Sequence, residues 1–105
     1  LSSSWIRQVG NAVARGDLVS INHRVAALMA SYFDILFAAN RVLHPGEKKL
    51  MGYSHILCSR LPDRFDEDIT AIYASLSGEG LMANLERAMS RLYDMALQGD
   101  DSALW

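Results

Sequence analysis

Residues 31–49 read SYFDILFAANRVLHPGEKK, an oily run that breaks into a knot of polar, hydrogen-bonding side chains. Apolar residues in the first half recur at helical rather than alternating spacing, which makes the run a helix and not a strand. The break falls at His44-Pro45. A residue before proline avoids the α region, and proline then suits the first turn of a new helix. The helix is expected to span 18–43, with Ser20, His23, Arg24, Ser31, Asp34 and Arg41 in one narrow polar stripe and almost everything else apolar. A helix with so thin a wet side has neighbours on several sides, and this one is expected to be the spine of the fold.

Working outward, residues 3–15 form a first helix that turns Trp5, Ile6, Val9 and Val13 to one side. Gly16 stops it, and Asp17 is placed to cap the second helix by accepting its free amide hydrogens. After Pro45 a third helix is predicted over 46–59, with Leu50, Met51, Leu57 and Cys58 inward. Arg60-Leu61-Pro62-Asp63 is a second break of the same design. A fourth helix over 63–76 carries Phe65, Ile69, Ile72, Tyr73 and Leu76 at helical spacing, with Asp66, Glu67 and Asp68 near its favourable N-terminal end. A fifth, over 81–97, shows Leu81, Leu85, Ala88, Met89, Leu92 and Ala96 on one face and closes at Gly99, after which Trp105 either frays or docks back. No strand-like alternation appears anywhere. Short connections favour antiparallel neighbours, and the expected fold is all-α: an up-and-down bundle of about five helices with a long, mostly buried second helix.

Composition agrees. The 105 residues fit one domain spanning 1–105 that buries roughly 65% of its unfolded surface. Half of them are hydrophobic and about a fifth charged, a globular balance. Residues 1–60 carry seven basic and three acidic side chains and 61–105 three and nine, so local charges of +4 and −6 make up the net −2. That split suits two halves that attract each other, or a basic face meeting an anionic partner, and is too mild for dedicated nucleic-acid binding. Cys58 is the single cysteine, so no internal disulfide forms, and a reducing, cytoplasmic location is expected. No apolar run reaches about 18 residues, so no membrane span is expected. The chain begins LSSSWIRQ without an initiator Met, and it is expected to be a fragment of a longer polypeptide.

The knot has two readings. Asn40 lies on the apolar side of the second helix with Met29, Phe33 and Leu36, and His44 follows four residues later. Asn40 either bonds to loop backbone and holds the turn shut, or faces a ligand, because a buried amide must find partners. Glu47 either reaches back to the His44 amide as the cap of a helix begun by Pro45, or stands at the mouth of a pocket as a base or as the partner of an amine. Lys48 and Lys49 either belong to a solvated face or neutralise a phosphate or carboxylate. His23 and His55 read as surface residues. No metal-ligand spacing is present, Gly78-Glu79-Gly80 is too short for a phosphate loop, and Cys58 reads as core rather than nucleophile.

The stretch YFDILFAANRVLHPGEKKL, residues 32–50, resembles the helical domain that follows the catalytic module in some bacterial nucleotidyltransferase-like proteins of the polymerase-beta type, relatives of the aminoglycoside-modifying nucleotidyltransferases. The similarity covers about residues 30–70 and is carried mainly by N-R-V-L-H-P-G-E-K. It implies an accessory domain walling a substrate cleft, in which Asn40, His44, Glu47 and Lys48 face the nucleotide or acceptor. Its partners would be an upstream catalytic domain and a small-molecule or nucleotide substrate. Magnesium and a nucleoside triphosphate would belong to that catalytic domain, and no cofactor to this chain. The Gly-Ser-x-x-x-x-x-Asp-x-Asp element of such catalytic modules is absent from this sequence, as are strands to carry it, so no catalytic residue is assigned and the chain alone is not expected to transfer nucleotides. The rival expectation is a small helical interaction module, a homodimer included, that buries a partner on the second helix.

Overall fold

A computed structural model of the chain describes residues 2–102. Five helices follow in order: α1 (Ser2–Arg15), α2 (Leu18–Ala39), α3 (Leu50–Leu57), α4 (Phe65–Ala74) and α5 (Leu81–Ser102). Among the described residues there is no strand, and the architecture is the expected up-and-down bundle. Helix α1 packs on α2 and α5, α2 packs on α5, and α4 packs on α5. Two long helices thus share the centre, where the sequence pointed to α2 alone. Helix α3 stands outside this set of extensive pairings.

The core follows the helical periodicity. From α2 it takes Ile21, Val25, Leu28, Met29, Tyr32, Phe33, Leu36 and Phe37, and from α5 Leu81, Leu85, Ala88, Met89, Leu92 and Met95. Tyr32, Phe33 and Phe65 form a ring cluster at the junction with α4, with centroids 5.4 to 6.3 Å apart. One ion pair is built into the same junction: Arg91 Nη1 on α5 donates to the buried Asp68 Oδ1 on α4 at 2.8 Å. The sequence reads Asp68 only as a helix-end acid.

Both ends of the α1–α2 connection behave as expected. Gly16, at φ +67°, lets its own amide reach Val13 O and the Asp17 amide reach Ala12 O, which closes α1. Asp17 then accepts from the Ser20 amide at 3.1 Å and from the Ser20 hydroxyl at 2.6 Å. The Ser20 hydroxyl bond, followed by the amide bond, holds the Asp17 carboxyl below its ordinary value.

Other boundaries differ. Helix α2 ends at Ala39 rather than 43 because Arg41 turns left-handed at φ +59°; its amide closes on Ala38 O and that of Val42 on Phe37 O. Helix α3 begins at Leu50 rather than just after Pro45, because Gly46 (φ +99°) and Lys49 (φ +57°) interrupt the helical path. Helix α5 runs through Gly99 to Ser102. Val13, Leu57 and Tyr73, expected inward, are exposed, while Ala12 and Ser54 are buried in their stead on α1 and α3. The tail around Trp105 lies outside the described residues.

The packing yields a simple contrast. Leu85 is fully buried, so Leu85→Ala is expected to lower the unfolding free energy by about 2–5 kcal/mol. Leu43 is 91% exposed, so Leu43→Ala should change it by no more than about 0.5 kcal/mol. Urea denaturation of the two variants beside the parent chain checks both.

Candidate functional site

The segment between α2 and α4 is tied at its base. The Asn40 amide nitrogen donates to Arg60 O at 2.9 Å, and the Arg60 amide donates back to Asn40 Oδ1 at 2.9 Å. The same Asn40 nitrogen also donates to Leu36 O at 2.9 Å. The Arg60 guanidinium then reaches two helix carbonyls, Ala39 O on α2 at 2.8 Å and Met95 O on α5 at 3.0 Å. A positive charge on a last-turn carbonyl of α2 complements the negative end of that helix. Asn40 is therefore occupied by backbone on every side, and its bonds are those of a residue that shuts the turn.

His44 and Glu47 have a different setting. Ala26, Met29, Ala30, Phe33 and Asp34 share one face of α2, and the two alanines leave a groove along it. His44 and Glu47 flank this groove, Leu50 adds to its apolar floor and Tyr73 on α4 completes the lining of a cleft of about 380 Å³. Phe33 and Met29 are buried beneath it, whereas Asp34, His44, Glu47 and Tyr73 are exposed around it. The His44 ring packs edge-on to Phe37, with centroids 5.2 Å apart, and its Nδ1 accepts the Gly46 amide at 3.0 Å. With Nδ1 accepting, the proton of the neutral ring sits on Nε2.

Glu47 makes no cap to His44, because no helix begins at Pro45 and the acid lies in the bend before α3. It stays exposed on the cleft wall. Lys48, one residue on, is also exposed but does not line the cleft. Of the four residues drawn from the sequence, the structure thus brings His44 and Glu47 together, commits Asn40 to the turn, and leaves Lys48 to one side.

Sequence reading missed Asp34, Tyr73 and Arg60. Asp34 falls in the polar stripe of α2, and the available signal was its spacing from Ala26 and Ala30, two small residues that open a groove beside an acid. Tyr73 looks like a core residue by period. Tyr73 is half-exposed, and its partial burial pushes the phenol up from its ordinary value, so it is a neutral hydroxyl at neutral pH. Burial likewise pushes the Cys58 thiol up and disfavours its thiolate.

His55, outside the cleft, shares Nε2 with Asp66 at 2.7 Å and packs on Phe65, pinning α3 to α4. No helix among the described residues is long and apolar enough to cross a membrane. No family model, no curated protein and no solved structure matches the chain.

The loop wall depends on the contacts of His44. His44→Ala is expected to cost about 1 kcal/mol and to raise fast backbone motion across 44–49, with the order of α1, α2 and α5 unchanged. Amide ¹⁵N relaxation of parent and variant measures this.

Proposed function

We propose that the chain is a ligand-side helical domain of a nucleotidyltransferase-like protein, working in the cytoplasm beside a catalytic domain that supplies the metal-binding aspartates, magnesium and nucleoside triphosphate. In this reading the helical domain binds and orients the nucleotide or acceptor and is not catalytic alone. One observation carries the proposal: the cleft under the 44–50 segment sets an imidazole, two carboxylates and a phenol around an apolar floor. Such a cavity, mostly apolar with a few convergent polar groups, has the general character of a small-molecule site. The resemblance of residues 32–50 to helical domains of that family adds the class of parent protein.

A second reading, a helical interaction or dimerisation module, is favoured by the outer side of α3. Tyr53, Ile56 and Leu57 lie on one face of that short helix and are 39%, 76% and 38% exposed. An apolar helix face in water is a feature of docking surfaces.

Amide shift mapping distinguishes the two. Titration with magnesium nucleoside triphosphates and with aminoglycosides, standing for nucleotide and acceptor, is expected to move residues 29–34, 44–50 and Tyr73 together, with at least one of the two. A folded chain in which those residues stay silent, while Tyr53, Ile56 and Leu57 shift with protein concentration, would replace the cleft reading with the second one.

A further inference from the structure

The charge of the cleft is one-sided. Asp34 and Glu47 line it and no lysine or arginine does. Neither carboxylate has an ion-pair or hydrogen-bond partner among the described residues, whereas Asp17, Asp66, Glu67 and Asp68 all do. A ligand that brings phosphate into this space meets two carboxylates and no lysine or arginine among the lining residues. The floor is Met29, Phe33 and Leu50, which offer no partner to a ligand hydroxyl. A compact apolar body suits the floor, and a cation suits the rim, where the carboxylates supply charge-assisted acceptors and the exposed Tyr73 ring a π face.

We infer that the cleft takes an organic ammonium ion carrying a small apolar or aromatic body, with Asp34 and Glu47 flanking the cation and Met29, Phe33 and Leu50 under the body. The inference rests on the reading of the cleft as a ligand site and selects the acceptor over the nucleotide as its occupant. The phosphates of a nucleotide would then lie outside this cleft. Tyr73, as a neutral hydroxyl, is free to hydrogen-bond a polar substituent of the ligand without adding charge.

Three probes with one ring and different head groups test it: phenethylamine, 2-phenylethanol and phenylacetate, each titrated into the full chain and followed by amide shifts. Phenethylamine is expected to move residues 29–34, 44–50 and Tyr73 saturably and to bind the most tightly of the three, with phenylacetate the weakest. Asp34→Asn and Glu47→Gln are each expected to weaken the amine about two- to five-fold, and added salt to weaken it further, with the alcohol unaffected by either. Equal or tighter binding of the alcohol or of phenylacetate at the same residues would overturn the ammonium preference and leave the cleft as a ligand site of another class. Unchanged amine affinity in both variants would also overturn it. Silence of these residues toward all three probes and toward nucleotides would remove the cleft reading itself.

Discussion

The reciprocal bond between the Asn40 side chain and the Arg60 backbone fixes the geometry on which the cleft depends. Between these residues the chain leaves the end of α2, runs through a loop and one short helix, and returns. Helix α3 lacks the broad pairing that the other four helices enjoy, so the position of this excursion depends on the bonds at its base together with the His55 contacts to α4. Closing a loop of about 20 residues costs on the order of 3 kcal/mol. The two reciprocal Asn40–Arg60 bonds and the two Arg60 guanidinium bonds, each worth about 1 kcal/mol, are of that size. One of these, the guanidinium bond to Met95 O, reaches α5, so one clamp both closes the excursion and binds it to the bundle.

From this follows the division of labour in the polar knot. Asn40 is spent on architecture, which frees His44 and Glu47, a few residues further on, to stand along the groove of α2. The groove exists because Ala26 and Ala30 are small where Met29 and Phe33 are large. The two acids of its rim, Asp34 and Glu47, belong to the basic first part of the sequence. Arg15–Asp17, Arg64–Glu67 and Arg91–Asp68 each pair within one half of the sequence, so these contacts do not join its basic first part to its acidic second part. Of the ion pairs described, His55–Asp66 alone crosses between them.

Much of this was legible in the sequence, for physical reasons that also set the limit. The existence of α1, α2, α4 and α5 follows from apolar periodicity, and the α1–α2 junction follows from a glycine and an aspartate with well-understood roles. The ends around the excursion did not follow. Arg41, Lys49 and Arg64 adopt the left-handed conformation without being glycine, asparagine or aspartate, so their turns carry no residue-type signal. The backbone bonding of Asn40 was one of two readings open to an amide on an apolar face. The identity of its partner was not available, because Arg60 lies 20 residues away and only the fold brings it near. Asp34 and Tyr73 were hidden for the opposite reason: each fitted a bland local pattern, and only the third dimension brings them to one cleft.

Native-state hydrogen exchange of the parent chain and of Asn40→Ala tests the clamp most directly. Protection is expected to fall sharply in the variant at the Arg60 amide and throughout 50–58, with the centres of α2 and α5 retaining theirs relative to global stability. Protection that falls evenly over the whole bundle, or that persists at Arg60 without the Asn40 amide, would contradict the clamp as the element that holds the cleft wall in place.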